Sequence, residues 1–443
     1  MQDILSPAAE PQHARFHRQT ILPPPEKTPQ WGGADAKDAA APRGWRGVAA
    51  AQEDWGELNT GKGAPALFVL DAGGWTVTKL AGLPEDHSCG QPVWTPDGAG
   101  LVFVAWPHAP LNFPATKRRL GIVFCYNRPC SLFHAPYAPP PAASKDAEPD
   151  AGAADAAAEA APAEDLTGGQ LLSAFAPVFS PEGGRLVFLS QDAAARSGVH
   201  SGTVSLHSLG WPSSEGGPAA KTVVPVIARP ASPGSFPGLY AGGFPEAAFL
   251  SERVVLVNSQ WYSQGVALAV DLETGAVAPV TPLGAEHGSW TVQGVCNGVI
   301  AAVASRPSSL PELLLAAAPL DLSAPAADAG SPLDLLAAAA ALSAPSAWRP
   351  VAELAVADLA ASLPDAAAAV EGVEAVLMEI KPTTGDKTLT FQSVVQAPKD
   401  RSGPCPVIVF PHGGPHTAVA ANYYMPFAFL TRLGYCVVAV NYR

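Results

Sequence analysis

Five consecutive residues near the end of the chain, His412-Gly413-Gly414-Pro415-His416, have the types and spacing that could do chemistry. They follow an apolar run, Cys405 to Pro411, that reads as a buried strand. A helical stretch comes next, then a second apolar run from Tyr435 to Val440. A glycine turn at a strand end lets the backbone approach a substrate closely, and its N–H groups can hold a developing oxyanion. Gly414 is the candidate donor. Gly413 shares the turn, and what such a His-Gly-Gly motif implies for His412 is packing below the loop that fixes it. An ordinary strand-to-loop turn is the plain alternative. His412 and His416 stand four apart, as a metal pair on one helix face would, but the two glycines and Pro415 disfavour that helix.

A nucleophile is harder to find. No Gly-x-Ser-x-Gly occurs anywhere in the sequence. The six cysteines are scattered, and Cys125 and Cys130 have no second ligand pair at zinc spacing. Neither a metal nor a cofactor is expected. Arg443 suits a structural or carboxylate-pairing role better than a catalytic one.

The formal net charge of −13 and the lack of a basic cluster argue against nucleic acid as a partner. No secretory leader and no run of about 18 apolar residues is visible, so a cytoplasmic protein without a membrane span is expected. The length of 443 residues allows two or three domains.

The elements before the glycine turn read as short strands in repeats. Residues 1–50 are rich in Pro, Ala and Gly and are expected to be irregular. Ala66 to Asp71 and Trp75 to Leu80 form two strands around Ala72-Gly73-Gly74. Trp94-Thr95-Pro96-Asp97-Gly98 then leads into the apolar run Leu101 to Trp106. The same order of aromatic, turn and apolar strand returns at Phe179-Ser180-Pro181-Glu182-Gly183 before Leu186 to Leu189. A looser copy runs from Ala248 to Val257, and Ser289 to Leu315 continues the texture. Such units suggest β-propeller blades of about 40–50 residues over 51–370, with a β-sandwich as the alternative. Two low-complexity stretches, 139–163 and 316–369, read as loop expansions, disordered or partly helical. From about residue 371 the chain enters a second domain, through an outer strand at Thr388 to Val395.

Four stretches together carry a resemblance. They are Glu53-Asp54-Trp55-Gly56-Glu57, Gly90 to Trp106, Arg119 to Arg128, and Val409 to His416 with Val440-Asn441-Tyr442-Arg443. The chain resembles the acylaminoacyl-peptidases (acylamino-acid-releasing enzymes), within the prolyl oligopeptidase group of serine peptidases. The resemblance covers roughly 51–443, apart from the Ala-rich stretches. It implies an incomplete β-propeller followed by the start of an α/β-hydrolase domain at 371–443. It implies removal of N-terminally acylated residues from blocked peptides, and a homo-oligomer for the full-length family member. In such a fold the oxyanion loop precedes the nucleophile Ser, then Asp, then His, so the triad is expected beyond Arg443 and this chain alone is expected to be inactive. Relatives that read a free amino terminus use a Glu-Glu pair; no adjacent Glu-Glu occurs here.

Two other readings stand beside this one. The chain could belong to another serine oligopeptidase or esterase on the same architecture, or it could be a propeller module that binds without catalysis. A sheet that ends after its early strands exposes unpaired edges, so the isolated chain is expected to aggregate or stay partly unfolded unless a partner covers it.

Overall fold

The computed structural model describes residues 13–21, 43–44, 47–48, 62–107, 129–138, 161–197, 202–212, 220–232, 234–318, 332–351, 361, 363–383, 390–413 and 417–441. Two compact units divide the chain: Met1–Pro177 with Asp192–Ser201, and Val178–Gln191 with Gly202–Arg443.

The first unit is built from antiparallel strands. These are β1 (His13–Ile21), β2 (Arg43–Gly44), β3 (Gly47–Val48), β4 (Lys62–Asp71), β5 (Thr76–Lys79), β6 (His87–Trp94), β7 (Gly100–Pro107), β8 (Ser131–Pro136) and β9 (Glu164–Asp165). They form the sheets β1-β4-β5, β2-β3 and β6-β7-β8-β9. Strand β1 stands in the segment expected to be irregular. It pairs along β4 from His13 opposite Asp71 to Ile21 opposite Lys62. Pairing with an apolar neighbour supplies an order that its own polar composition does not advertise. The core holds Leu67 and Val69 of β4, Leu101, Phe103 and Ala105 of β7, and Phe133 and Ala135 of β8. The short helix α1 (Asp192–Ser197) also belongs to this unit.

The second unit continues the same construction. Strands β10 (Phe175–Phe179), which begins in the first unit, β11 (Arg185–Ser190), β12 (Ser205–Gly210) and β13 (Lys221–Val224) form one sheet in sequence order. Strands β14 (Val254–Trp261), β15 (Gln264–Asp271) and β16 (Val277–Pro279) form the next. A third contains β17 (Ser289–Cys296), β18 (Val299–Arg306), β19 (Ser309–Ala317) and β20 (Arg349–Pro350). Most neighbouring pairs are antiparallel and follow directly along the chain as meanders, while β20 joins β19 only after the stretch that holds a helix at Pro332–Ala341.

The repeats seen in the sequence are repeats of hydrogen bonding. In the first, Thr95 N donates to Gly100 O at 2.9 Å, Gly98 N to Thr95 O at 2.9 Å, and Gly100 N to the Thr95 hydroxyl at 2.9 Å. In the second, Ser180 N donates to Arg185 O at 2.9 Å, Gly183 N to Ser180 O at 2.9 Å, and Arg185 N to the Ser180 hydroxyl at 3.0 Å. Gly98 and Gly183 both take positive φ, 71° and 76°, which a residue without Cβ adopts freely. The aromatic before each turn also meets a second aromatic ring. Trp94 meets Tyr137 edge-on at 5.5 Å, and Phe179 meets Trp211 edge-on at 5.1 Å. So Thr or Ser closes the turn, Gly opens it, and an aromatic pair staples its flank.

The Ala-rich stretch 316–369 is partly helical where it is described. Helix α2 (Pro332–Ala341) ends near Leu342, and α3 (Pro364–Glu371) closes the stretch. Trp348 anchors it. Its indole donates to Leu342 O at 2.8 Å and its ring lies 5.2 Å from that of Trp290 in the core.

The chain ends in a different kind of sheet. Strands β21 (Val373–Ile380), β22 (Phe391–Pro398), β23 (Val407–Pro411) and β24 (Cys436–Val440) lie in the order β21-β22-β24-β23. Strands β23 and β24 are parallel, and α4 (Met425–Arg432) forms the crossover between them. Phe427 of α4 packs on Val394, Val437 and Ala439 on one face. Register places Val376, Val395, Val438 and Val409 in a row on the other face, where Val376 and Val409 are 52% and 62% exposed.

Candidate functional site

Strand β23 stops at Pro411, and the chain turns at His412 and Gly413. The site residue Gly414, with Pro415 and His416, lies outside the described residues, as do Tyr442, Arg443, Cys125, Glu53 to Glu57 and Arg119 to Arg128. What is described is the support on either side of the turn.

His412 is buried. Its Nδ1 lies 2.9 Å from Gly413 O and 3.2 Å from the Thr417 hydroxyl. A carbonyl oxygen only accepts, so Nδ1 carries the proton in this contact. The Thr417 hydroxyl donates to the same Gly413 oxygen at 2.8 Å. Two donors thus fix one carbonyl and set the direction in which the chain leaves Gly413. A Cβ added at Gly413 would meet nothing within 4 Å, so the space beside this residue is open.

Beyond Thr417 the loop is clamped by Asn441, just after β24. Val419 N donates to Asn441 Oδ1 at 2.7 Å, and Asn441 Nδ2 donates to Val419 O at 2.9 Å and to the Ser263 hydroxyl at 2.9 Å. Ser263 sits at the tight turn between β14 and β15. Its N–H donates to the Gln392 Oε1 at 3.1 Å, and its carbonyl accepts from Ala421 N at 2.7 Å. Ser305 of β18 accepts from Tyr423 N at 2.8 Å. Gln260 Nε2 reaches Ala418 O at 3.4 Å. Segment 417–423 is therefore held both by its own sheet and by the strand turns of the meander sheets.

Helix α4 follows. Tyr424 precedes it, and the Phe427 ring stands edge-on to Tyr424 at 4.8 Å and to Phe410 at 5.1 Å. This ties the first turn of α4 to the end of β23.

A second polar cluster joins two meander sheets. The Arg253 guanidinium pairs with Asp271 at 2.8 Å and with Glu273 at 3.2 Å, and Arg185 reaches Glu273 at 3.2 Å. Burial works against the Asp271 carboxylate, but Arg253 and the N–H groups of Thr274 and Glu273 outweigh it and hold the carboxyl below its ordinary range. This is a structural ion pair by its place, far along the chain from the glycine turn. Among the described residues no group of three or more His, Cys, Asp or Glu could hold a metal ion.

The family model and the curated relatives agree on family. The family model "Acylamino-acid-releasing enzyme, N-terminal domain" matches residues 9–324. The chain belongs to the acylamino-acid-releasing enzyme family. Among curated acylamino-acid-releasing enzymes, number 1 of Oryza sativa is 32% identical over 95% of this chain and 52% of its own length. That of Arabidopsis thaliana is 32% identical over 90% and 49%, and that of Homo sapiens 27% over 88% and 45%. The chain spans about half the length of the curated relatives it matches. A solved puromycin hydrolase aligns with 87% of this chain and 55% of its own at 16% identity, with a TM-score of 0.46. An acylaminoacyl peptidase of Pyrococcus horikoshii gives a TM-score of 0.42 at 14% identity, over 85% of this chain and 54% of that one. Both superpositions are too loose to argue from.

The matched domain, 9–324, ends before the glycine turn. The alignment with the Oryza sativa relative covers 95% of this chain and so continues past that domain, while the site is read from its own geometry. Sequence reasoning picked out His412, Gly413 and Asn441. It missed Thr417, Ser263 and Gln392, which touch these only through the fold. Thr417 lies only four positions beyond Gly413, whereas Ser263 and Gln392 had no local signal.

No helix among the described residues is long and apolar enough to cross a membrane.

Proposed function

We propose that this chain supplies the propeller part and the oxyanion loop of a serine peptidase that cleaves after an N-acylated N-terminal residue of a blocked peptide. The observation that carries the reading is the fixed Gly413 carbonyl, held by His412 and Thr417 at the end of a parallel strand. That carbonyl and the Gly414 N–H belong to one planar peptide unit, so in this reading fixing the carbonyl sets the direction of the N–H. A donor fixed before the substrate arrives costs no reorganisation when charge develops on the substrate oxygen. Open space at Gly413 supports the same role.

The meander sheets support a propeller, in which four-stranded units repeat around an axis. The mixed sheet β21-β22-β24-β23, with a helix crossing between parallel strands, supports the start of an α/β-hydrolase domain. Chemistry then follows the general serine-peptidase course: a Ser attacks the carbonyl, a His takes its proton, and an Asp orients the His. Those three belong to sequence other than these 443 residues in this reading, since the nucleophile motif does not occur here. A cytoplasmic, self-associating enzyme completes the proposal.

The test uses the full protein that carries this chain. It should release an N-acetylated residue from a blocked peptide and leave the same peptide with a free amino terminus intact. Gly414→Pro removes the donor N–H and is expected to lower kcat by about 10²–10³ with little change in KM. Equal turnover of both peptides, or an undiminished kcat in the Gly414→Pro variant, would overturn the assignment.

A further inference from the structure

We propose that Cys405 and Cys436 are a reversible redox pair that closes to a disulfide across the ends of the parallel strands β23 and β24. The two residues are 31 apart in sequence, one just ahead of β23 and the other opening β24. Parallel register sets Val407 opposite Cys436, and Cys436 N donates to Pro406 O at 2.8 Å. The residue before Pro406 is Cys405, so the register brings Cys405 and Cys436 to the same end of the two paired strands. Both are free and partly exposed. Pro404 and Pro406 flank Cys405 and keep its backbone extended, so the thiol is presented rather than mobile. The Arg401 guanidinium lies within electrostatic reach of both sulfurs.

The other described thiols differ. Cys89 and Cys130 are buried, and Cys296 is exposed. Cys130 has its own hydrogen bonds to Ser173 and Ala174 O. Two accessible neighbouring thiols are the arrangement in which one oxidised thiol finds a resolving partner before it is oxidised further, and the nearby Arg401 is itself paired with Glu374 at 2.7 Å. Burial, followed by the neighbouring Cys405, raises the Cys436 thiol, against a pull from Arg401. This suits Cys436 to the resolving role.

The oxidant is a peroxide. The Cys405 thiolate attacks one peroxide oxygen, the O–O bond breaks, and the leaving hydroxide takes a proton to become water. Cys405 is then a sulfenic acid. The Cys436 sulfur attacks the Cys405 sulfur, the S–O bond breaks, and hydroxide leaves with the Cys436 proton as a second water. Two thiols lose two electrons, and one hydrogen peroxide becomes two waters. A dithiol reductant reverses the change. The bond would close a loop that contains His412, Gly413 and α4, and it would pin the edge strand β23.

The experiment treats the native chain with hydrogen peroxide, blocks residual thiols, and maps peptides by mass spectrometry without reduction. The expected product is one cross-linked peptide joining Cys405 and Cys436, about 2 Da lighter than its two halves and released by dithiothreitol. In a Cys436→Ser variant, Cys405 should instead accumulate as a sulfenic acid that dimedone traps. Separate, unlinked Cys405 and Cys436 peptides at a dose that has already oxidised Cys296 would overturn the proposal. A link that forms only in denaturant would do the same, and so would a Cys436→Ser variant that yields no dimedone adduct at Cys405.

Discussion

Replacing Asn441 by Ala tests whether the 417–423 segment is held as the geometry implies. The side chain makes three hydrogen bonds, two with the Val419 peptide and one with the Ser263 hydroxyl, at 2.7, 2.9 and 2.9 Å. Asn441 is 6% exposed, so water does not replace them fully in the variant. Each such bond contributes about 1 kcal/mol net, and a buried group left without its partner costs about 1–3 kcal/mol. The expected loss is roughly 2–4 kcal/mol by the same values. Urea unfolding reads it as a lower midpoint at unchanged slope. Amide exchange at Val419 and Ala421 should rise more than exchange in β14 and β15. Asn441→Asp is a sharper variant. It keeps an acceptor for Val419 N but turns a second oxygen towards the Val419 carbonyl and buries a charge, so it should be no better than Ala. Ser263→Ala removes one bond only and should cost about 1 kcal/mol. A midpoint unchanged in Asn441→Ala, or exchange at Val419 that does not move, would refute the clamp.

Other expectations follow from other parts of the fold. Asp271→Asn removes one partner of a buried ion pair and should cost about 3–5 kcal/mol at pH 7. Because the folded carboxyl lies below 3.8, the ordinary value, its stabilisation is full above that pH and fades as pH falls through the folded value. The gap between wild type and variant in urea midpoint should therefore hold from pH 7 to roughly pH 5 and shrink at pH 3; a gap that widens in acid would contradict the pairing. Burial pushes the Cys89 thiol up to about 12 and the Cys130 thiol up to about 11, so iodoacetamide at pH 8 should label Cys296 long before either. Comparable native rates would show that the core opens. Thr95→Val and Ser180→Ala break matching turn bonds, and each should cost about 1–3 kcal/mol in thermal or urea unfolding. A large cost at one and none at the other would mean that the two turns are not equivalent.

Much of the β-rich part was legible because its signals are local. The aromatic, the hydroxyl, the glycine and the apolar strand sit within about a dozen positions in each copy, and each does its work on its neighbours. Trp94 and Phe179 announced strand ends, and Gly98 and Gly183 announced turns, because a residue without Cβ adopts their positive φ most freely. Strand β1 was not legible. Arg15, His17 and Arg18 lie among Pro, Ala and Gly, and nothing nearby says that β4 will pair with them. The helices within 316–369 were half legible: Ala favours helix, but the anchor at Trp348 depends on Trp290, which lies in another strand of the chain. At the site the glycine turn could be seen and its braces could not. His412 and Asn441 are visible as types, but Ser263 and Gln392 become relevant only when two meander strands bring their turn against a loop more than a hundred residues later.

That long-range bracing bears on where stability and chemistry meet. The sheet β21-β22-β24-β23 is covered by α4 on one face, while Val376 and Val409 stand open on the other. A sheet buried on a single face gains less from hydrophobic burial than one covered on both. Its glycine turn therefore depends more on polar contacts with the meander sheets than a turn inside a fully covered sheet would. Three of those contacts pass through Ser263, and a fourth through Ser305. The loop that fixes the Gly413 carbonyl is thus coupled to the folding of β14, β15 and β18. Loosening the Ser263 turn should disorder segment 417–423 before it disturbs Phe427 and its packing on β24, because α4 is held by apolar contacts that do not use Ser263.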